Sequence, residues 1–424
     1  MGVDEGHDEG RLVPRGALSG IRICDLSGQL AGAGATRFLG AFGAQVIRIE
    51  DPVRQGRWDI LRGSPPYKDE RRGIEFGAGF QNHNVEKLGI TLNLRTERGR
   101  QVLGDLIRIS DVVTENFAAG VLAALGFGYE AMTELRPDII YVSNCGFGHV
   151  GPYSRFKSWG PIVQAVSGLT FTSGLPDLPP AGWGYSYMDH TGGYYMAIAI
   201  LAAMWHRRRT GEGQWVDLAC AEAGAALNGP AILDWTVNGR PTRRAGMPDS
   251  NRSPWAPMAP HGIYPAAGED CWVAIACRTD TEWKAVAALA GAPWAASPDY
   301  DTVAGRLERE DRLDNEVARW TAGHDRFELA ARLQAAGVPA AAVTSPPERI
   351  DDDPDVTGWG LWPTVDHAAM DEVRVDGIPV HLSGTDWEIT HAAPLLGQHN
   401  DLVLTGLLGI PPDEVQSLRD EGVI

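Results

Sequence analysis

The sequence predicts an α/β protein with a largely parallel sheet and a smaller α+β region, and three observations support this fold class. Short β-rich runs alternate with helical segments through the first half of the chain, a pattern typical of βαβ units. Residues 228–260 are rich in Pro, Gly, Arg and Ser and predict a long connection. With 424 residues the chain exceeds the size at which one hydrophobic core usually stops growing, so we expect two domains.

Hydrophobic periodicity places the elements of the larger domain in a regular order. The predicted strands are Ile21–Leu26, Gln45–Glu50, Asp111–Glu115, Ile139–Ser143 and Trp215–Leu218. The predicted helices are Ala31–Gly43, Glu97–Ile109 and Gly192–Arg209. Strands joined through helices in this way predict a Rossmann-like large domain with a parallel sheet.

After the long connection, strand signals at Cys271–Cys277 and Ala340–Val343 predict a compact α+β region. An acidic cluster at residues 351–354 marks a second boundary, and helices are predicted at Asp401–Leu408 and Pro412–Asp420. We therefore expect a tail over 1–18, a large domain over 19–228 and 350–424, and a linker with the small α+β domain over 229–349.

Composition narrows the classes of function. A formal net charge of −18 argues against a nucleic-acid partner, because phosphate binding needs a basic face. The most apolar stretch, Tyr194–Trp205, is shorter than the roughly 20 residues that span a bilayer, so no membrane partner is expected. Five cysteines without a Cys-x-x-Cys pair, and a polar start over 1–10 without a signal peptide, predict a cytoplasmic protein.

The sequence lacks the motifs of several classes of enzyme. It contains no Walker-type phosphate loop, no His-Glu-x-x-His and no Gly-x-Ser-x-Gly elbow, so neither ATP nor a metal is expected. A partial Gly-x-Gly at Gly32 and Gly34, followed by Glu50, resembles a dinucleotide-binding turn. Because Arg37 replaces the third glycine, we interpret it as a tight turn between a strand and a helix.

The segment Tyr185–Gly193 carries the main candidate for chemistry. Asp189 precedes the predicted helix and is first of all a candidate N-cap. Gly192 and Gly193 are poor helix formers that would let a ligand approach the backbone closely. The amides at a helix start favour negative charge, so Asp189 could stay ionised and attack an activated acyl group. On spacing alone, a cap and a nucleophile both remain open.

A series of short motifs, which follow one another in order along the chain, resembles the class III CoA-transferase family of the CaiB/BaiF type. This family includes formyl-CoA transferase and carnitine CoA-transferase. The resemblance covers residues 18–424. Its pieces are Leu18–Ser27, Leu39–Glu50, Glu115–Phe117, Gly126–Glu130, Gly146–Tyr153, Gln164–Gly168, Asp189 with Gly193, Arg209–Asp217 and Ala393–His399. It implies a Rossmann-like large domain and a smaller α+β domain in an interlocked homodimer.

The resemblance also implies a reaction that moves CoA from an acyl-CoA donor to a free carboxylic acid. Asp189 would attack the donor thioester and give an aspartyl anhydride and CoA thiolate. The thiolate would then form a β-aspartyl-CoA thioester and release the donor acid, and an acceptor acid would reverse these steps. Coenzyme A, bound as acyl-CoA, would be needed without a metal or ATP.

The positions implied for CoA contacts come from the same resemblance. They are Arg54, Arg62, Lys87, Asn116, Phe117, Cys145, Gly192 and Gly193. Gln29, Tyr185 and Tyr187 are candidate substrate contacts, with aromatic core packing as the alternative for the two tyrosines. Leu88, Ala124 and Asp51 stand where formyl-CoA transferase has arginines, which argues against formyl-CoA and oxalate as substrates.

Two alternatives stay open at this point. An α-methylacyl-CoA racemase of the same fold would need two opposed acid/base groups. The Gly-His-Asp context expected near Ser158–Gly160 is absent, and His149 and His190 are the nearby substitutes. A non-catalytic CoA-binding protein would keep the fold without requiring Asp189.

Overall fold

The computed structural model describes residues 16–174, 178–184, 186–243, 251–253 and 256–424. Tyr185, a candidate substrate contact, lies outside the described residues, as does most of the expected tail. The chain forms two compact units. The first comprises the described residues of Met1–Thr170, Gly182–Gly229 and Asp355–Ile424, and the second comprises the described residues of Phe171–Ala181 and Pro230–Pro354.

A six-stranded parallel sheet forms the framework of the first unit. Its strands are β1 (Arg22–Asp25), β2 (Gln45–Glu50), β3 (Lys87–Thr91), β4 (Val112–Glu115), β5 (Ile140–Cys145) and β6 (Gln214–Ala219). They lie in the order β3-β2-β1-β4-β5-β6. The strand order therefore switches between β1 and β4, with later strands added on the other side of β1. The predicted Rossmann-like parallel sheet is confirmed, with β3 as a strand that the sequence analysis missed.

The second unit contains an antiparallel sheet, as expected for a smaller α+β region. Its strands are β7 (His261–Pro265), β8 (Trp272–Ala276) and β9 (Ala340–Ala342), in that order. The first unit also has an antiparallel pair, β10 (Thr364–His367) and β11 (Asp371–Arg374). Trp283 and Tyr300 are buried in the core of the second unit.

Fifteen α-helices lie in the described part of the chain. They are α1 (Ala31–Ala41), α2 (Ala78–His83), α3 (Glu97–Ile109), α4 (Val121–Ala124), α5 (Tyr129–Leu135), α6 (Gly160–Val166), α7 (Tyr187–Thr210), α8 (Cys220–Leu227), α9 (Gly229–Asn238), α10 (Asp280–Ala290), α11 (Val303–Glu308), α12 (Glu310–Thr321), α13 (Arg326–Ala335), α14 (Pro354–Trp359) and α15 (Pro412–Asp420). Short 3₁₀ segments are Ile60–Gly63, Lys68–Glu70 and Pro298–Tyr300, and π-helical segments are Glu348–Asp352 and Leu402–Leu407. The stretch predicted as a long connection therefore contains a helix, α9.

Successive residues of the central strands enter two different hydrophobic cores, because side chains alternate across a sheet. Ile23 of β1 packs in the same core as Met196 of α7. The next residue, Cys24, belongs to the opposite core, which contains Leu103 of α3. Helices thus cover both faces of the parallel sheet, which leaves the edge formed by the strand ends for loops that can bind a ligand.

Helix α7 begins earlier than the sequence predicts. Its N-cap is Ser186, in a left-handed conformation with φ of 41°, and Asp189 lies in the first turn. The expectation that Asp189 caps the helix is therefore wrong. The helix ends at Thr210, and its C-cap is Gly211, whose φ of 79° suits a glycine. The charges of three arginines in its last turn interact favourably with the helix dipole.

Candidate active site

The candidate site lies where β1, β4 and β5 end, since the carboxyl ends of parallel strands share one edge of the sheet. Gln29 follows β1, Asn116 and Phe117 follow β4, and Cys145 is the last residue of β5. The topology therefore brings four of the predicted site residues to this edge. Each of the other predicted site residues in the described part of the chain has a different local environment.

Asp189 has a partly buried carboxylate in the first turn of α7. Its backbone amide donates a hydrogen bond of 2.8 Å to the carbonyl oxygen of Ser186. Burial raises the pKa of the Asp189 carboxyl above its ordinary value, and a hydrogen bond with the Ser186 side chain opposes this rise. A carboxylate that has lost part of its hydration is a suitable nucleophile toward a thioester.

Gly192 and Gly193 allow α7 to pack closely against its neighbours. A Cβ on Gly192 would lie 2.5 Å from the Cys220 sulfur, and one on Gly193 would lie 3.0 Å from the Ala31 carbonyl oxygen. Both glycines are buried, so the approach of CoA that we expected at their backbone is replaced by helix packing. The Cys220 thiol donates a hydrogen bond of 3.1 Å to Asn144 Oδ1 and fixes this contact.

The loop after β1 is held from two sides. The Gly28 amide donates to Asn116 Oδ1 at 2.8 Å, and Asn116 Nδ2 donates to the Gly28 carbonyl at 2.9 Å. Gln29 has a φ of 55°, and its amide donates to Asp59 Oδ2 at 2.9 Å. Left-handed backbone costs a non-glycine residue about 1–2 kcal/mol, so these hydrogen bonds are what keep Gln29 in place. Asn116 thus shapes the loop.

Two of the cations predicted to contact CoA are buried in ion pairs. Arg62 is 0% exposed and donates to both oxygens of Glu50, at 2.8 and 2.5 Å. Lys87 is buried 3.3 Å from Asp25 Oδ2, and burial lowers the pKa of its ammonium to about 8. Neither side chain offers a free donor at the surface, so both stabilise the fold where we had expected ligand contacts.

Arg54 lies in a different environment. Its side chain is 60% exposed, with Asp51 at 4.0 Å. It borders a surface cavity of about 310 Å³ that is also lined by Val53, Gln55, Arg57 and Trp58. Sequence reasoning missed Arg57, although a second arginine three residues after Arg54 was a signal for it. Trp58 packs against Phe117 with 5.2 Å between ring centroids, so the cavity adjoins the loop after β4.

Cys145 is a partly exposed thiol at the edge of the sheet. Burial raises the pKa of Cys145 to about 11, so the thiol is neutral at physiological pH. Nearby, His149 Nε2 lies 3.3 Å from Glu115 Oε1, and burial raises the pKa of Glu115 to about 7. The His190 ring lies 5.5 Å from that of His83. These histidines are therefore part of local packing within the first unit.

Tyr187 lies on the opposite side of α7 from Asp189, because residues two apart on a helix do not share a face. Its ring packs against Trp183 at 4.9 Å. It belongs to an exposed apolar stripe along α7, at helical spacing, in which each side chain is 38–61% exposed; the stripe consists of Tyr187, Tyr194, Ile198, Leu201 and Trp205. The structure thus separates Tyr187 from Asp189, the candidate nucleophile that we expected it to flank.

None of the described helices is long and apolar enough to cross a membrane. The described His, Cys, Asp and Glu side chains do not form a group of three or more that could hold a metal ion.

Known proteins resemble this chain over nearly its full length. The family model "CoA-transferase family III" matches residues 18–400. The formyl-CoA:oxalate CoA-transferase of Streptomyces coelicolor is 32% identical, with 96% of this chain and 99% of that protein aligned. The succinyl-CoA–D-citramalate CoA-transferase of Chloroflexus aurantiacus is 31% identical, with 97% and 99% aligned.

The fold is shared with a solved structure. A CaiB/BaiF family protein from Brucella suis superimposes with a TM-score of 0.82 and 28% identity, covering 93% of this chain and 100% of that one. This agreement confirms the family that the ordered motifs had indicated. The family model, the long alignments and the shared fold together place this chain in CoA-transferase family III, as an enzyme of that class.

Proposed function

We propose that this enzyme transfers CoA from an acyl-CoA donor to a free carboxylic acid through covalent intermediates on Asp189. One observation carries the proposal: Asp189 is a partly buried carboxylate in the first turn of α7, and burial raises its pKa. In the relatives named above, formyl-CoA with oxalate and succinyl-CoA with D-citramalate are the substrates that the names give. For this chain we propose only the classes, an acyl-CoA and a carboxylic acid.

The proposed steps balance without a further reactant. An oxygen of Asp189 forms a bond to the acyl carbon, the thioester C–S bond breaks, and CoA leaves as a thiolate. The thiolate attacks the aspartyl carbonyl of the anhydride, the bridging C–O bond breaks, and the donor acid leaves as a carboxylate. The acceptor carboxylate then attacks the aspartyl-CoA thioester, and the same two steps in reverse order return Asp189 and release the new acyl-CoA.

Two loops and one cavity are the parts that we assign to CoA. The loop at Gln29 and the loop at Asn116 and Phe117 meet at the edge of the sheet, and the cavity with Arg54 and Arg57 adjoins them through Trp58. Exposed guanidinium groups are suited to phosphate oxygens, which CoA carries at its nucleotide end. We keep Gln29 as a proposed substrate contact.

The covalent intermediates give a direct test of the proposed function. The enzyme is incubated with formyl-CoA, acetyl-CoA and succinyl-CoA, with and without oxalate or succinate, and is then analysed by peptide mass spectrometry. A CoA-sized adduct on the peptide that contains Asp189 is expected with a productive donor. Transfer without any adduct on Asp189 would contradict the mechanism, and exchange of deuterium at the α-carbon without an acceptor acid would indicate a racemase.

The raised pKa of Asp189 predicts the pH dependence of the reaction. The nucleophile must be ionised, so activity falls as the pH drops through the pKa of this carboxyl. Because burial raises that pKa, the acid limb of kcat/KM should lie at a higher pH than an ordinary aspartate would give. Initial rates measured between pH 4 and 8, with thermal unfolding at each pH as the control for stability, would show the limb. A limb at or below the ordinary aspartate range would contradict this prediction.

We also propose that the enzyme is an interlocked homodimer, and the apolar stripe on α7 supports this. A contiguous exposed apolar face is typical of a protein–protein interface. The wild-type dimer should have twice the chain mass by light scattering. Replacing Ile198 and Trp205 by aspartate should lower that mass toward the mass of one chain, or lower the Tm by several degrees. Val380→Asp, at an exposed apolar residue outside the stripe, is the matched control. A wild-type protein that is monomeric at micromolar concentration would refute the dimer.

We place the reaction in the cytoplasm. All five cysteines are free thiols, and free thiols persist in reducing compartments. Three of them, Cys24, Cys220 and Cys277, are buried, and burial raises the pKa of each thiol. Localisation of the tagged full-length protein in cell fractions would test the assignment.

A further inference from the structure

Gly160, the first residue of α6, lies directly against the carboxylate of Asp189. A Cβ built on Gly160 would be 2.5 Å from Oδ2, 3.0 Å from Cγ and 3.4 Å from Oδ1 of Asp189. Real Cβ atoms essentially never approach other heavy atoms to less than 3.0 Å. The three nearest atoms all belong to the nucleophile, so a side chain at position 160 would occupy space that the carboxylate now fills.

The φ of Gly160 does not itself require glycine. Gly148 and Gly151 in the preceding loop have a positive φ, and Gly160 does not. Pro161, the next residue, restricts the backbone of the residue before it. At the place that a Cβ of residue 160 would take, the nearest atoms are those of the Asp189 carboxylate.

We propose that Gly160 is a positioning residue for CoA transfer, because its missing side chain lets the Asp189 carboxylate lie against the backbone of α6. This inference rests on the function proposed for Asp189. The contact covers one side of the carboxylate, while the Asp189 amide donates to the Ser186 carbonyl oxygen at 2.8 Å and fixes the first turn of α7. The remaining exposed part of the carboxylate is then directed toward an incoming thioester.

The consequence of a side chain at position 160 follows from the size of the overlap. Asp189 Oδ2, the nearest atom, is at the end of a side chain, so the carboxylate moves before the backbone of α6 does. A shift of about 1 Å in a reacting group can lower a rate by roughly 100-fold. Movement toward water also restores hydration to the carboxylate and lowers its pKa.

Gly160→Ala therefore has a signature in the kinetics. We expect kcat to fall by about 100-fold while KM for the acyl-CoA stays within about 2-fold, and the acid limb of the pH profile moves to lower pH. The control is Gly358→Ala in α14, where a Cβ meets no atom within 4 Å and φ is ordinary. The donor and acceptor are those that give the adduct on Asp189 in the wild-type enzyme. A Gly160→Ala enzyme with wild-type kcat would overturn the proposal.

A second measurement needs no substrate and separates a clash with the carboxylate from a clash with the backbone. Gly160→Ala is made in the wild-type chain and in the Asp189→Ala chain, and the Tm of all four proteins is compared. We expect the alanine to lower the Tm by about 3 °C in the wild type and to have no effect in the Asp189→Ala background. An equal loss in both backgrounds would make Gly160 a purely structural residue.

The adduct experiment tests the proposed function, and the Gly160 variants test the role of Gly160. If the wild-type enzyme forms no adduct on Asp189 with any productive donor, the proposed function is overturned. This holds whatever the Tm values of the four proteins show. An enzyme that forms the adduct, but whose rate and Tm do not couple positions 160 and 189, overturns only the role of Gly160.

Discussion

Replacing Asp189 by asparagine is expected to abolish CoA transfer, with kcat lower by at least about 10⁴-fold. Asparagine keeps the shape of the side chain but cannot form the anhydride or the aspartyl thioester. Because burial raises the pKa of Asp189, a neutral amide at this position relieves the desolvation of a charge, and the Tm should not fall. The measurements are the transfer rate and the adduct seen by mass spectrometry.

The specificity of this result depends on two controls. Acyl-CoA binding, measured by calorimetry, should remain within a few-fold of wild type, because Asp189 is not one of the residues that we assign to CoA. Asp301→Asn, at an exposed aspartate of the second unit, should leave transfer unchanged. If the Asp189→Asn enzyme still transfers CoA at more than a hundredth of the wild-type rate, Asp189 is not the nucleophile.

Replacing Arg62 by methionine should cost about 3–5 kcal/mol of unfolding free energy, the usual effect of breaking a buried ion pair. Arg62 is 0% exposed, donates to both oxygens of Glu50 and donates to Glu75 at 2.7 Å. Its guanidinium also lies 3.9 Å from the centre of the Phe80 ring. Without Arg62, the one described cation that remains in an ion pair with the buried carboxylate of Glu50 is Arg48, at 3.7 Å. Denaturant unfolding of the full-length protein would measure the loss of unfolding free energy.

Arg54→Met is the matched variant, because Arg54 precedes Arg62 in the same loop but is exposed. We expect less than about 0.5 kcal/mol of destabilisation for it, and a several-fold higher KM for the acyl-CoA. The pair of variants separates a cation that holds the fold from one that meets the ligand. A stable Arg62→Met enzyme with an increased KM would restore Arg62 as a CoA contact.

Much of the fold could be predicted from local signals. The bounds of β2, α3 and α15 agree with those predicted from periodicity, and α3 has Thr96 as a capping residue whose hydroxyl accepts from the Gly99 amide. Strand β3 was missed because Lys87 and Gly89 do not resemble a buried strand. Lys87 is tolerated there because Asp25, 62 residues earlier in the chain, neutralises it, and no local pattern contains that pairing.

The candidate site was predictable in part. Asp189 could be singled out by its sequence context and by the resemblance, but the start of α7 could not, because Gly192 and Gly193 weaken the helical pattern. Their packing against Cys220 and Ala31 overrides this propensity. The burial of Arg62, and the contact of Gly160 with Asp189, depend on how separate segments of the chain pack. A motif alone therefore cannot separate ligand contacts from structural residues.

The hydrogen-bonded loop at Gln29 has a thermodynamic consequence for ligand recognition. Fixing the backbone of one residue costs roughly 1–2 kcal/mol of conformational entropy. Here Asn116 and Asp59 already fix Gly28 and Gln29 when the chain folds. The entropy of ordering this loop is therefore lost during folding, so an acyl-CoA that binds here, as we propose, meets a surface whose shape is already set. Its encounter with the enzyme can be limited by diffusion and not by rearrangement of this loop.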